Sequence, residues 1–309
     1  MNFPDYPFTP HRFEVRPGIA MSFLDEGPRD GEVVVMLHGN PSWSFYWRHL
    51  VLGLRDPAAG KGYRCIVPDH VGMGLSDKPD DAPSAVPRYD YTLQSRIDDL
   101  DALLRHLGID GPVTLAVHDW GGMVGFGWAL RDPSRVKRLV ITNTASFPLP
   151  AAKRFPRRLA MGRDSRLGGW LIRRFNLFAR GAAWFGTERA LAKDVRDAYA
   201  GVYDGWDNAI STLRFMQDIP LGEGDAAWPL LKASEAALPG YSNRPAFIGW
   251  GLRDFVFDRH FLGGFRRALP RADVREFEDA GHYVLEDKHV VLVPAIRRFL
   301  DANPLGSGT

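Results

Sequence analysis

The sequence predicts an α/β fold in which a mostly parallel β-sheet is flanked by helices and carries an inserted helical cap. Three observations predict it. Short, β-branched apolar runs alternate with helical patterns, which is typical of strands and helices wound into one parallel sheet. This alternation stops after Phe147 and resumes after about Gly224. With 309 residues and 45% hydrophobic content, the chain has the size of one large domain with an insertion.

The elements of the core follow from their residue patterns. Six short apolar runs are predicted to be strands, at residues 32–37, 64–67, 113–117, 136–142, 246–250 and 273–277. A helix is clearest over residues 92–107, where Leu or Ile recurs every three or four positions. Thr92 can cap the start of this helix, and Gly108 can end it.

A helical cap is predicted between residues 148 and 224. The stretch has no convincing strand pattern, its aromatic residues cluster, and Pro148 and Pro150 mark its entry. The chain is therefore divided into a first core part (1–147), the cap (148–224) and a second core part (225–309).

The cap begins with a strongly basic stretch. Residues 153–180 contain nine Lys or Arg residues against one acidic residue, Asp164. Two interpretations stay open: a solvated helix face, or a surface that docks to a membrane or to an acidic partner.

Composition argues against several classes of protein. The formal net charge of +2 is too balanced for a nucleic-acid binder, which relies on phosphate neutralisation. The single cysteine, Cys65, can form neither an internal disulfide nor a zinc cluster, which is compatible with the reducing cytoplasm, where we expect the protein. The N-terminal residues lack a signal-peptide pattern, and no apolar run approaches about 20 residues, so no membrane span is expected.

The segment VHDWGG, residues 117–122, contains the main candidate for chemistry. It follows a predicted strand, and its two glycines allow the next helix to pack closely, so Asp119 is expected at the carboxyl edge of the sheet. The placement resembles a nucleophile elbow, although Val117 replaces the first glycine of that motif and Asp119 replaces its serine. Taken alone, an aspartate here is also typical of an ordinary helix N-terminus.

The order of further polar residues favours catalysis. Asp254 follows the next-to-last predicted strand, and His282 follows the last one. Nucleophile, acid and histidine in this chain order are typical of catalytic triads on such sheets. The loop after the first predicted strand faces the elbow, so the Asn40 side chain and the Trp120 indole N–H can point donors at one place. Their backbone N–H groups are candidates for an oxyanion hole.

Several segments carry a resemblance to a known family: HGNPSWSFYWRHL, PDHVGMGLSDKP, VHDWGG and the GH of EDAGHYVLED. Together they resemble the haloalkane dehalogenase branch, third subfamily, of the α/β-hydrolase superfamily, over nearly the whole chain. Within that branch, LVITNTASFPLP, RFMQDIPL and GHYVLEDKHVVLVPAI are most similar to the β-lactone decarboxylases of bacterial olefin biosynthesis. The resemblance implies an α/β-hydrolase fold.

The resemblance also implies roles for the candidate residues. Asp119 is the nucleophile, His282 the base, Asp254 the acid partner of the base, and Asn40 with Trp120 the pair that binds the leaving anion. The predicted strand 136–142 is followed by Asn143, where some dehalogenases carry a glutamate, which leaves Asp254 as the better triad acid. Asp258 is a weaker substitute for it.

The reaction implied is conversion of cis-3-alkyl-4-alkyloxetan-2-ones to cis-alkenes and CO2 in long-chain olefin biosynthesis, through a covalent intermediate on Asp119. A carboxylate is a good nucleophile for saturated carbon, and two N–H donors can stabilise the anion that departs. Attack at the ring carbon that bears the lactone oxygen is preferred here, and attack at the lactone carbonyl stays open.

Three other functions stay open. A haloalkane dehalogenase uses the same groups to release halide, after which the histidine activates water to cleave the ester. An epoxide hydrolase of this fold uses cap tyrosines, for which Tyr199, Tyr203 and Tyr241 are candidates. The third is a binding protein without catalytic activity, although such a protein does not need the full triad.

Side chains fill every chemical role in this scheme, so neither a metal nor an organic cofactor is implied. The expected partner is a small hydrophobic substrate with long alkyl chains. The resemblance further implies assembly with the β-lactone synthetase and reductase of the same pathway.

Overall fold

The computed structural model describes residues 3–306; residues 1–2 and 307–309, the outer ends of the predicted first and last core parts, lie outside the described residues. Its strands are β1 His11–Arg16, β2 Ile19–Glu26, β3 Glu32–Leu37, β4 Tyr63–Pro68, β5 Val113–Asp119, β6 Val136–Thr144, β7 Ala246–Gly251 and β8 Asp273–Phe277. They form one sheet in the order β1-β2-β4-β3-β5-β6-β7-β8. Strands β3 to β8 are parallel to one another, and β1 and β2 are antiparallel.

Helices connect or follow these strands. They are α1 Arg48–Arg55, α2 Leu93–His106, α3 Trp120–Ala129, α4 Arg157–Asp164, α5 Arg166–Phe175, α6 Leu177–Phe185, α7 Lys193–Gly201, α8 Ile210–Gln217, α9 Trp228–Ala237, α10 Arg259–Ala268 and α11 Val284–Ala302. Helices α4 to α9 all lie between β6 and β7. Helix α1 packs against α11, while α2 and α9 pack against α3, so two groups of helices lie against the sheet. The predicted α/β architecture is confirmed.

All six predicted strands are present, as β3 to β8. Strand β5 lies at the centre of the sheet between β3 and β6, and each of its seven residues is buried. Burial on both faces explains why inner strands such as β5 and β7 are mostly apolar instead of alternating, while the edge strand β8 has exposed charged residues. The parallel arrangement brings their carboxyl ends to one edge of the sheet.

Strands β1 and β2 were not among the predicted strands. The sequence of β1, HRFEVR, alternates apolar with charged residues, and that of β2, IAMSFLDE, contains a serine and ends in two acidic residues. Asp25 of β2 is buried because Arg64 of β4 donates two hydrogen bonds to its carboxylate, at 2.9 and 2.8 Å. Arg64 is far from Asp25 in the chain, so the sequence pattern alone does not distinguish this buried acid from a loop residue.

Helix α2 agrees with its prediction at both ends. Thr92 is the N-cap residue, and its hydroxyl accepts a hydrogen bond from the Ser95 N–H at 3.1 Å. After the helix, Gly108 has φ +63°, a conformation that glycine adopts without steric cost.

The cap inserts between β6 and β7 and lies over the carboxyl edge of the sheet. Among the described residues, 148–224 contain helices α4 to α8 and no strand. Three hydrogen bonds join the cap to the loop after β3: Trp43 Nε1 donates to Ala198 O (3.1 Å), Tyr203 Oη to Ser42 O (2.9 Å), and Asn40 Nδ2 to Thr212 O (2.9 Å). The cap is thereby fixed directly above the candidate site.

Over residues 3–306, every helix is either too short or too polar to traverse a lipid bilayer.

Candidate active site

Asp119 occupies a sharp corner between β5 and α3. Its backbone has φ +51°, which is rare for a residue other than glycine and costs on the order of 1–3 kcal/mol. Such strain persists only where the surrounding structure enforces it. The strained backbone directs the Asp119 side chain away from the end of β5. The Thr144 hydroxyl donates a hydrogen bond to the Asp119 carbonyl and so ties the corner to β6.

The corner fits only because its neighbours are glycines. A Cβ on Gly39 would lie 2.0 Å from Asp119 Oδ1, and a Cβ on Gly121 would lie 2.0 Å from the Leu37 carbonyl oxygen. Both separations are far below van der Waals contact. The two glycines therefore let the loop after β3 and the start of α3 approach the Asp119 carboxylate.

The two carboxylate oxygens of Asp119 have different surroundings. Oδ1 accepts a hydrogen bond from the Asn40 backbone N–H at 2.6 Å. Oδ2 lies 3.7 Å from His282 Nε2. One oxygen is thus anchored by a backbone donor, while the other is left beside the imidazole.

The imidazole of His282 is held on its other side by Asp254. His282 Nδ1 donates to Asp254 Oδ2 at 2.8 Å, and the Val256 N–H donates to Asp254 Oδ1 at 2.7 Å. Asn143 Nδ2 also donates to Asp254 Oδ2, at 3.0 Å. The structure therefore brings Asp119, His282 and Asp254 together in one line of contacts.

Asn143 contributes in a way that the sequence did not reveal. Its Oδ1 accepts from the Gly251 N–H at 2.8 Å and its Nδ2 donates to the Gly251 carbonyl at 3.0 Å, so it joins the ends of β6 and β7. The only signal for it was its position at a strand end. His118 is a second such residue: its Nε2 donates to the His282 carbonyl at 3.0 Å and fixes the backbone of that histidine.

Asp258, the weaker candidate for the triad acid, lies elsewhere. Its carboxylate pairs with Lys153 Nζ at 2.7 Å and accepts a hydrogen bond from the His260 N–H at 3.0 Å, which caps α10. Both oxygens have partners outside the triad. It is therefore Asp254 that contacts His282.

Burial and mutual attraction shift the pKa values of these groups. Burial raises the pKa of the Asp119 carboxyl, although attraction to His282 and the N–H groups of Asn40 and Trp120 oppose the shift. Burial alone would lower the pKa of His282, but Asp254 and Asp119 raise it above its ordinary value. Burial would likewise raise the pKa of Asp254, yet His282 and backbone donors lower it. Asp254 is therefore ionised at neutral pH and keeps a proton on His282 Nδ1.

The side chains of the predicted anion-binding pair also border the site. The Trp120 indole N–H donates no hydrogen bond to any of residues 3–306 and is left for a ligand. The Asn40 amide donates one hydrogen to Thr212 O, while its Oδ1 is buried without a partner in the described part of the chain. Arg96 of α2 stacks against the aromatic wall, with its Cζ 5.1 Å from the Trp120 ring and 3.5 Å from the Phe215 ring.

A cavity of about 950 Å³ lies between the core and the cap and contains this site. Asp119, Trp120, Asn40 and His282 form its polar end. The other walls are predominantly apolar and come from both parts of the fold, including Met123, Phe147, Leu159, Ile172, Phe178 and Phe257. The volume is at the upper end of ordinary ligand sites, which span about 300–1,000 Å³. The cavity can hold a long hydrophobic molecule against the carboxylate.

None of the three candidate tyrosines lines this cavity, and Tyr241 lies outside the predicted cap. Tyr199 Oη donates to Glu286, Tyr203 Oη donates to Ser42 O, and the Tyr241 hydroxyl is buried without a partner in the described region. Residues 3–306 also contain no group of three His, Cys, Asp or Glu side chains placed to hold a metal ion.

Comparison with curated proteins shows two relatives with one name. The chain is 69% identical over 305 residues to the "cis-3-alkyl-4-alkyloxetan-2-one decarboxylase" of Xanthomonas campestris pv. campestris, covering 99% of this chain and 100% of that protein. It is 50% identical over 295 residues to the protein of the same name from Shewanella oneidensis, covering 95% and 89%. A haloalkane dehalogenase from Mycolicibacterium paratuberculosis is 31% identical over 303 residues, covering 93% and 91%. These names agree with the predicted lyase and make dehalogenases the more distant relatives.

Fold comparison and the family pattern agree with these relatives. The crystal structure of haloalkane dehalogenase DbeA from Bradyrhizobium elkani superposes with a TM-score of 0.81 at 26% identity, covering 96% of this chain and 100% of that one. The pattern of the alpha/beta hydrolase fold family matches residues 32–289. The chain therefore belongs to the α/β-hydrolase fold family, in its haloalkane dehalogenase-like branch.

Proposed function

We propose that this protein is a β-lactone decarboxylase that converts cis-3-alkyl-4-alkyloxetan-2-ones to cis-alkenes and CO2 through a covalent intermediate on Asp119. The observation that carries the proposal is a carboxylate, Asp119, with one oxygen anchored and the other beside a large apolar cavity. This geometry occurs in a chain that is 69% identical, over its whole length, to a protein named for that reaction.

In the first step, Asp119 Oδ2 attacks the ring carbon that bears the lactone oxygen. A carbon–oxygen bond to Asp119 forms, the ring carbon–oxygen bond breaks, and the configuration at that carbon inverts. The lactone is opened to a carboxylate, which the Trp120 indole N–H and the Asn40 amide are proposed to bind. Removing one such preorganised donor typically costs about 3–4 kcal/mol of transition-state stabilisation.

In the second step, the new carboxylate leaves as CO2. The electrons of its carbon–carbon bond form the alkene, and Asp119 departs with the electrons of the ester bond. Inversion places the ester anti to the carboxylate, so the elimination is anti and the two alkyl chains remain cis. No water is consumed. Oδ2 regains its negative charge 3.7 Å from His282 Nε2, where a protonated imidazole would stabilise it.

A second route begins with attack on the lactone carbonyl and gives a mixed anhydride on Asp119. The same backbone and indole donors suit an oxyanion there. Trapping the adduct distinguishes the routes: an alkyl ester on Asp119 supports our proposal, and an acyl anhydride overturns its first step.

Haloalkane dehalogenation is the second candidate function, because the same carboxylate, histidine and donors serve it and because 31% identical relatives carry that name. Epoxide hydrolysis is disfavoured, since Tyr199, Tyr203 and Tyr241 lie outside the cavity. A binding protein without catalysis is disfavoured by the intact contacts from Asp119 to His282 to Asp254.

The decisive experiment gives the purified protein a cis-dialkyl β-lactone and a 1-haloalkane in parallel. We expect cis-alkene and an equal amount of CO2 from the lactone, and no halide from the haloalkane. Halide release without alkene would assign the protein to the dehalogenases. For the non-catalytic alternative, Asp119→Ala is expected to abolish alkene formation while lactone binding, measured by calorimetry, is retained.

Two further parts of the proposal rest on the family resemblance and on composition. We propose that the protein works in the cytoplasm and assembles with the β-lactone synthetase and reductase of its pathway. Co-purification of the three enzymes from cells that express all of them tests the assembly. Separate elution of this chain would contradict it.

A further inference from the structure

The mouth of the cavity is surrounded by exposed apolar side chains. Three residues that line the cavity, Met161, Leu177 and Phe185, also face outward, and the Phe185 side chain is 73% exposed. Next to them on α5, Leu167 and Trp170 are exposed, and Trp170 makes an edge contact with Phe175 at 5.3 Å between ring centroids. An exposed cluster of this kind marks an interaction site more often than scattered surface residues do.

Arginines without acidic partners lie among these apolar residues. Within the described part of the chain, Lys153, Arg163, Arg173 and Arg180 have acidic partners within 4.0 Å. No ion pair within residues 3–306 involves the other basic residues of the stretch, which are exposed: Arg154, Arg157, Arg158, Arg166 and Arg174.

These two sets of residues share one surface. Helix α5 packs against both α4 and α6. On α5, Leu167, Trp170 and Arg174 follow one another at helical spacing and are all exposed. The Arg174 guanidinium lies 5.3 Å from the Phe175 ring centroid, so charge and apolar surface are in direct contact. We call the exposed residues of α4, α5 and α6, together with Arg154, the cap face.

We propose that the cap face docks to the surface of an anionic lipid bilayer, with the mouth of the cavity turned toward the lipid. Unpaired arginines complement anionic headgroups, while Trp and Phe side chains favour the boundary between headgroups and acyl chains. The cavity behind the cap face is apolar and opens among the same side chains. Docking would let a water-insoluble reactant or product pass between cavity and bilayer without crossing water.

The apolar residues argue for a bilayer over a solvated helix face, which would not expose Leu167, Trp170 and Phe185 together. An acidic protein partner is the competing occupant, and the test below separates it from a bilayer. The inference rests on the proposed function only for the water-insoluble nature of the reactant. Binding is measured without substrate, so failure of docking and failure of the proposed reaction are distinguished.

The experiment is flotation of the purified full chain with two kinds of vesicle: phosphatidylcholine alone, and phosphatidylcholine containing phosphatidylglycerol. We expect binding to the anionic vesicles and little to the neutral ones. The triple variant Arg158→Gln, Arg166→Gln, Arg174→Gln should bind about a hundredfold more weakly, since each basic residue contributes about fivefold near an anionic surface. The matched control removes three exposed arginines that lie outside the cap face and take part in no ion pair within residues 3–306: Arg267→Gln, Arg271→Gln and Arg298→Gln.

A second pair of variants tests the apolar part. Leu167→Ser with Trp170→Ser should weaken vesicle binding at least tenfold, whereas Val290→Ser with Val291→Ser, also exposed but on α11, should leave it unchanged. Absence of preferential binding to anionic vesicles overturns the proposal. The cap face would then be assigned to an acidic protein partner. If either control, the triple arginine variant or the double valine variant, loses as much vesicle binding as the matching cap-face variant, the assignment of this face is overturned.

Discussion

At the scale of single residues, the chemistry depends on giving the two oxygens of one carboxylate different tasks. The Asn40 backbone N–H holds Asp119 Oδ1, so rotation of the carboxylate is restrained and Oδ2 keeps its position beside His282. Burial raises the pKa of this carboxyl, which disfavours the charged form that a nucleophile requires. The N–H donors and the imidazole oppose that cost. The proposed mechanism uses the ionised form of Asp119, which these contacts favour against the effect of burial.

The first prediction concerns the nucleophile. Asp119→Asn preserves shape and hydrogen bonding but removes the nucleophilic oxygen, so alkene formation should fall by about 10⁴-fold or more. The measurement is alkene and CO2 release from a cis-dialkyl β-lactone. Asp258→Asn is the matched control, because this acid pairs with Lys153 and caps α10 away from the triad. If the Asp119→Asn variant retained turnover, the proposed covalent mechanism would be contradicted.

The second prediction concerns pH. Asp254 and Asp119 raise the pKa of His282, and His282 lowers the pKa of Asp254. The histidine contribution to stability is complete below its unfolded pKa of about 6.5 and is lost as pH rises through the higher folded value. The aspartate contribution is complete above about 3.9 and is lost as pH falls through its lower folded value.

The stability difference between the native chain and Asp254→Asn should therefore be largest between about pH 4 and pH 6.5 and should shrink at higher pH. Denaturant unfolding across this range measures it. NMR titration of the imidazole should also show a lower His282 pKa in the variant. A stability difference that grew above pH 8 would contradict the assigned coupling.

At the scale of elements, three chain segments converge on the corner between β5 and α3. The loop after β3 supplies the Asn40 N–H, the start of α3 supplies Trp120, and β6 supplies Thr144. They approach because Gly39 and Gly121 present no side chain at the contacts. Close approach of backbones, and not helix or strand propensity, sets the geometry here.

The third prediction tests this approach. A Cβ on Gly39 would lie 2.0 Å from Asp119 Oδ1, so Gly39→Ala must displace the carboxylate or the loop. A displacement of about 1 Å can reduce turnover about a hundredfold. Gly111→Ala is the control, because no atom lies within 4 Å of a Cβ at that position. Equal activity of the two variants in the lactone assay would show that the loop is not held as described.

At the scale of the whole molecule, the cap converts an open sheet edge into an enclosed site. Core and cap each contribute walls to the cavity, and the hydrogen bonds from Trp43, Tyr203 and Asn40 fix their separation. In the proposed function, the lining would control which alkyl chains fit, while the carboxylate end would determine the chemistry. The two properties should be separable by mutation.

The fourth prediction separates them. Gly181 on α6 lines the cavity, and no atom lies within 4 Å of a Cβ placed on it, so Gly181→Leu should extend into free space. We expect kcat/KM for long-chain lactones to fall at least tenfold, with little change for short-chain lactones. Gly201→Leu, at the last residue of α7, has the same free space around its Cβ but does not line the cavity. A uniform loss over all chain lengths would point to misfolding instead.

Sequence patterns were sufficient for much of this molecule. The inner parallel strands were predictable because burial on both faces requires continuous apolar residues, whereas β8, at the edge of the sheet, has exposed Asp273, Arg275 and Glu276. Asp119, Asp254 and His282 were predicted from their places at strand ends, and the structure brings them within contact of one another. Their catalytic roles stay predictions. Strands β1 and β2 were not predicted, because their charged residues have partners far away in the chain, as Asp25 has in Arg64.

The sequence alone determined the alternation of strands and helices, the inserted cap and the order of nucleophile, acid and histidine, because these depend on periodicity and chain position. Only the tertiary structure decided which Asp119 oxygen is anchored, that Asn143 supports Asp254, and that the candidate tyrosines lie outside the cavity. The physical reason is that hydrogen bonds and cavity walls join residues distant in the chain. The local sequence pattern therefore does not reveal which distant residues come into contact.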